Sequence, residues 1–311
     1  MKTLKLLLVL FITCSLFMCL FLESCTNETE FEADPLYEIV PNIPRGMAGS
    51  LSNFEKQNVL GYVNNVRVTH NLPVVEYDSR NDRLAQEAAL IGVAEIDTAG
   101  TLNKANFYFS EIANQEYRNG NYSLWISTAS KWPTSEIHVS DWMTELNSEN
   151  INCRRRILDP FLKSITFGRI IGTLTSDESK HVSSAILVTN GYRPDLGKHQ
   201  IQYIAYPQGV YNAKFFNPES FLSFSVLYDK NDKSNNDVVD FSQATIRVCV
   251  GSYTLEIVEG SVSYDNNNYG LPNNLQWKVY GLTKNTTYTV KITDVKVAGN
   301  ITNYEYTFIF I

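Results

Sequence analysis

Asn58-Val-Leu-Gly-Tyr-Val-Asn-Asn-Val-Arg67, Leu72-Pro-Val-Val-Glu-Tyr-Asp78 and Leu84-Ala-Gln-Glu-Ala-Ala89 follow one another within a short stretch, and their reading decides the first half of the fold. Val59, Tyr62, Val63, Val66 and His70 recur at steps of three and four, which predicts a helix over 54–71. Asn71-Leu72-Pro73 ends it, because proline cannot continue a helix and constrains the residue before it. Asp78 and Ser79 are capping residues for a second helix, whose apolar face is Leu84, Ala85, Ala88, Ala89 and Ile91. A third helix is expected from Thr134-Ser135, with Glu136 in its first turn and Ile137, Trp142 and Leu146 along it. Apolar runs over 165–174, 183–189 and 201–206 read as strands.

From about Tyr211 the helical pattern is gone. Strand-like runs recur at 221–228, 244–250, 253–258, 276–280, 287–295 and 304–311, separated by turn signals such as Asp229-Lys-Asn-Asp, Asp265-Asn-Asn-Asn and Lys284-Asn-Thr. This spacing predicts a β-sandwich of roughly 100 residues. Read alone, such a module is a spacer. The fold class is therefore α/β (α+β), a mixed first half followed by an all-β sandwich.

The N-terminus reads as an export signal. Lys2 and Lys5 precede an apolar run over 6–22, broken only by Thr13, Cys14, Ser15 and Cys19. The run also approaches the length of a spanning helix, so an uncleaved anchor is the alternative. Leu22-Glu23-Ser24-Cys25 resembles the lipobox of bacterial lipoproteins, with Glu23 in place of the usual small or apolar residue. That resemblance implies cleavage after residue 24, a fatty-acylated Cys25 and attachment to the membrane through this lipid. The rival reading is an ordinary cysteine behind a plain signal. The polar, acidic stretch that follows reads as a flexible tether over 25–43. It resembles the acidic segment of surface-exposed Bacteroidetes lipoproteins, which implies the outer membrane or cell surface, with the periplasmic face as the alternative.

The 311-residue chain has a formal net charge of −7 and no basic stripe, so nucleic acid is an unfavoured partner. Beyond the signal and Cys25 only Cys153 and Cys249 remain, which does not suggest a disulfide framework. His70, His138, His181 and His199 are scattered singly, without the spacing of a zinc site. No cofactor or metal is expected.

Within 44–210 the order of segments resembles the CAP superfamily, also called SCP-like. The segments quoted above carry the likeness, with Trp142-Met143, Asn152-Cys-Arg-Arg-Arg-Ile-Leu-Asp-Pro160, Ile165-Thr-Phe-Gly168 and Tyr206-Pro207-Gln-Gly209. The resemblance implies a three-layer α-β-α sandwich with a cleft. In the family that cleft often holds two His and two Glu. Here Cys153 stands where the family has His, and Arg156 where it has Asn. The family's first Glu corresponds to Glu111 with a one-residue gap, or to Ser110 without it. A second Glu corresponds to Glu145. Over 211–311, Leu275-Gln-Trp277 and Gly281-Leu-Thr-Lys-Asn-Thr-Thr-Tyr288 resemble an Ig-like module.

Glu111, Glu145 and Cys153 are thus the candidate cleft residues, and no catalytic residue is assigned. Two Glu without imidazole partners make a poor zinc or copper site and read as solvated surface groups. Cys153 lacks a base and reads as a small buried apolar residue. Arg154-Arg155-Arg156 reads as solvated arginines near a helix C-terminus. The functional expectation is a lipid-anchored, non-enzymatic surface protein that binds a small-molecule, lipid or protein ligand. A degenerate CAP-type hydrolase and a purely adhesive protein are the alternatives.

Overall fold

The valine spacing over 54–71 corresponds to helix α1 (Asn53–Thr69), with Ser52 at its N-cap accepting from the Glu55 amide at 3.2 Å. The computed structural model describes residues 36–96, 111–113, 121–127, 133–173, 180–188 and 191–311. Cys25 and the apolar run before it lie outside the described residues. The expected tether ran to residue 43, but the fold begins earlier. β1 (Tyr37–Ile39) pairs with β2 (Ser50–Leu51), and Ile43 is buried. Composition explains the difference: Leu36, Tyr37, Ile39 and Ile43 bring apolar surface that the preceding acidic residues lack.

After α1 the chain forms β3 (Glu76–Tyr77) and then α2 (Asp82–Ile96). Asp78 caps the 3-10 turn Ser79–Asn81, not α2 itself, accepting from the Arg80 amide at 3.2 Å. β4 (Asn121–Ser127), α3 (Ser135–Thr144), α4 (Asn152–Ile157), β5 (Ser164–Thr173) and β6 (Lys180–Leu187) follow. Their sheet has the order β3-β5-β6-β4, parallel between β3 and β5 and antiparallel elsewhere.

Helices cover both faces of this sheet, and the two-residue period of the strands sorts its side chains. Phe167 and Ile186, directly paired, share a core with Val59, Val63 and Trp142 from α1 and α3. The adjacent pair, Gly168 and Ala185, faces α2, where Ala88, Ala89 and Val93 pack with Ala185 and Ile170. Gly168 has no alternative, because a Cβ there would overlap the backbone of Ala85 in α2.

The second half has two sheets. One has the order β13-β14-β9-β7, made of β13 (Ser263–Asp265), β14 (Asn274–Trp277), β9 (Leu222–Val226) and β7 (Tyr203–Tyr206). The other runs β12-β11-β15-β16-β8, from β12 (Tyr253–Thr254), β11 (Thr245–Val250), β15 (Tyr288–Val297), β16 (Asn300–Phe310) and β8 (Gly209–Tyr211), with β10 (Val239–Asp240) also on β15. Their inner faces meet through aromatic rings: Phe224 lies 5.1 Å from Tyr304 and stacks on Tyr306 at 6.1 Å.

The expected division at 210/211 falls inside this architecture. β7 pairs antiparallel with β9, and β8 pairs parallel with β16. β7 precedes the division and β8 straddles it, yet both complete sheets made of strands that follow it. A single buried cluster runs from Leu51 and Val59 through Trp277 to Phe310. The mixed α+β class is as expected, with strands dominating the C-terminal half.

Candidate functional site

Two of the three candidate cleft residues meet. Glu145 ends α3 in the left-handed region (φ 43°), which turns its carboxylate toward the start of α4. That carboxylate accepts from the amides of Cys153 at 2.9 Å and Arg154 at 3.0 Å. These amides are among those a helix start leaves without internal partners. Glu145 is thus a helix cap supplied from a distance, with both oxygens committed. Burial pushes its carboxyl up to about 7, against the opposing pull of Arg154 and the two amides. Cys153 packs against the main core, and burial together with Glu145 pushes its thiol well above the ordinary range. A thiol held protonated is a poor nucleophile. Glu111 is elsewhere: it is exposed on a helical stretch over 111–113 whose Ala113 joins the core under α2.

The arginine run differs most from expectation. Arg154, Arg155 and Arg156 are 0, 4 and 8% exposed. Arg154 donates to the carbonyls of Met143 (2.6 Å), Thr144 (3.3 Å) and Phe221 (2.8 Å), and its guanidinium lies 3.7 Å from the centre of the Tyr206 ring. Arg155 makes a two-point pair with Asp265 at 2.7 and 2.9 Å, and Arg156 lies over the Tyr269 ring at 4.1 Å. One turn of helix therefore fastens the first half to the second. Burial is possible because each planar fork meets carbonyls, a carboxylate or an aromatic face instead of water.

Three of the four single histidines, His70, His138 and His181, are buried, and His199 is exposed. His70 is 1% exposed, and its Nε2 lies 3.0 Å from the Tyr211 hydroxyl. Burial lowers its pKa to about 3, although the Ala205 carbonyl favours the charged form. His138 on α3 is fully buried, and neither ring nitrogen has a hydrogen-bond partner among the described residues. Burial first, then nearby Arg169, lowers its pKa to about 3 as well.

A pH prediction follows. An unfolded chain protonates these rings as pH falls through about 6.5, while the folded chain resists until about 3. Their contribution is therefore complete above about 6.5 and is lost as pH falls through that window, by up to ~1.4 kcal/mol per unit and per ring. Glu145 acts oppositely: its raised pKa makes the folded state favourable below about 4.5 and costs stability as pH rises toward about 7. Replacing His138→Leu is expected to remove about one proton from the slope of stability against pH between 4.5 and 6.5. Urea unfolding across that range measures it, and an unchanged slope would exclude His138 as a source.

The functional candidate lies where α1 ends. A cleft of about 630 Å³ is lined by Asn71 after α1, by Gln202 and Tyr203 at β7, by Gln208 between β7 and β8, and by Tyr306 and Thr307 of β16. His70 forms part of its wall. A second cleft of about 400 Å³ lies beside β8, with Asn65, Val210, Tyr211 and Ile311 in its lining. Thr69 borders both. The larger cleft is built from both halves of the chain and lies within the usual volume range of ligand sites. Its lining carries amides, hydroxyls and aromatic rings, and among the described residues it includes no Asp, Glu, Lys or Arg. The sequence reading missed it. Its residues come from four separate segments, and the only local hint is the recurrence of glutamine at 200, 202 and 208.

Among the described residues, no group of three or more His, Cys, Asp and Glu is placed to hold a metal ion. Among them too, no helix is long and apolar enough to cross a membrane. Compared with known proteins, the chain matches no family model and no curated protein.

Proposed function

We propose that this chain is an exported, lipid-anchored surface protein that binds a ligand in the cleft at the end of α1 and releases it unchanged. The observation that carries the reading is the cleft itself, with its uncharged polar lining and a histidine wall held neutral. Glu145 is not part of this cleft: both of its oxygens accept from the amides that open α4.

The CAP assignment of the first half rests on the order of its motifs and on helices covering both faces of a four-stranded sheet. The Ig-like assignment of the second half rests on two facing sheets and on Tyr288. The Tyr288 hydroxyl accepts from the Thr283 amide at 2.6 Å and reaches the Thr283 carbonyl at 3.2 Å. Such a bond to backbone a few residues upstream resembles the tyrosine corner of Ig-type sandwiches. Anchoring rests on the lipobox-like Leu22-Glu23-Ser24-Cys25.

Thermal-shift screening of the anchored chain against soluble compounds and lipid vesicles tests the binding reading. At least one compound is expected to raise the melting temperature of the wild type but not of Thr307→Trp, which enlarges a residue of the cleft lining. Conversion of that compound into product, seen by mass spectrometry, would favour a hydrolase instead. In the same preparation, a fatty-acid probe should label the wild type and not Cys25→Ser; an unlabelled wild type would refute the anchor.

A further inference from the structure

We infer that the cleft at the end of α1 receives a neutral saccharide, a step that rests on the ligand-binding reading above. Charge comes first. An anionic ligand calls for Lys or Arg, a cationic one for Asp or Glu, and among the described residues the lining includes neither sign. A lipid tail would need apolar walls, whereas Asn71, Gln202 and Gln208 bring polar amides. Each side-chain amide offers two donors and a carbonyl acceptor, which suits hydroxyl groups that both donate and accept. A sugar presents many such hydroxyls in a rigid ring and carries no charge.

The aromatic residues add a second property. Tyr203 is partly exposed in the cleft wall, held from behind by stacking on Phe224 at 5.2 Å. A tyrosine ring offers a rigid apolar surface at low entropic cost, matching the C–H face of a pyranose. Tyr306, beside it, is 7% exposed, and its buried hydroxyl has no hydrogen-bond partner among the described residues. A buried hydroxyl left unpaired is unfavourable.

Isothermal calorimetry on the full mature chain tests this with maltohexaose, cellohexaose, chitohexaose, mannohexaose and xylohexaose. Polygalacturonate and phosphatidylcholine vesicles serve as charged and lipid probes. At least one neutral oligosaccharide is expected to bind saturably with an affinity that added salt leaves unchanged. Thr307→Trp should weaken it by about tenfold or more, or 1.4 kcal/mol. The double variant Gln202→Ala/Gln208→Ala, which alters no core residue, should weaken it similarly. Binding confined to polygalacturonate or vesicles would overturn the inference, as would saccharide binding indifferent to both variants, or none at all. If a non-saccharide compound senses Thr307→Trp in the thermal screen, the saccharide fails but the ligand site stands. If nothing senses it, both fail.

Discussion

Replacing Arg154→Met is expected to remove about 3–5 kcal/mol of stability, a large part of what a domain of this kind has. The guanidinium is completely buried and is the partner of the Met143, Thr144 and Phe221 carbonyls. Methionine fills much of the volume but donates nothing. Each carbonyl left buried and unpaired costs about 1–3 kcal/mol, reduced by whatever relaxation lets water in. The cation–π contact with Tyr206 is lost as well. Arg154→Lys should recover less than half, because an ammonium on a flexible stem cannot reproduce the fork. Urea titration followed by fluorescence of the buried Trp142 and Trp277 reads both variants. A loss below about 1 kcal/mol in Arg154→Met would mean that the carbonyls find water at little cost.

Glu55→Ala should be comparably damaging, by about 3–5 kcal/mol, for a different reason. Glu55 in α1 and Arg169 in β5 form an ion pair at 2.8 Å, with side chains 9% and 5% exposed. Arg169 also donates to the Pro133 carbonyl, and the Ser135 hydroxyl donates to Glu55. Removing the carboxylate strands a positive charge inside the protein. Removing both charges does not, so Glu55→Leu combined with Arg169→Met should be milder than Glu55→Ala. The double-mutant cycle through Glu55→Leu and Arg169→Met should give a coupling of about 2 kcal/mol or more. A coupling near zero would show that the pair contributes nothing specific.

Periodicity made α1, α2 and α3 legible, because each presents apolar residues to a core at helical steps. It was blind to α4. A six-residue helix with three successive arginines has no apolar stripe, and its burial depends on carbonyls contributed by residues as distant as Phe221. β7 was legible as a strand but not as a member of the second half, and β8 was not read as a strand at all. Their partners in β9 and β16 lie beyond the turn in sequence, and local pattern does not encode nonlocal pairing. Glu145 and Cys153 were read as cleft residues, and what joins them is a helix cap. The cleft was the least legible feature. Amides such as Asn71 and Gln208 read as loop residues, and only folding brings them together with Tyr306.

The exchange of β7 and β8 across the middle of the chain has a consequence for how such a protein can evolve. A module on a linker can be duplicated, swapped or deleted while its neighbour stays intact. Here a recombination breakpoint between Tyr206 and Leu222 would deprive one sheet of β7, beside β9, and any breakpoint past Tyr211 would also deprive the other of β8, beside β16. The arginines of α4 would be left facing missing carbonyls and a missing Asp265. The two halves are therefore inherited as one unit of selection, and a lineage that altered either would have to alter both.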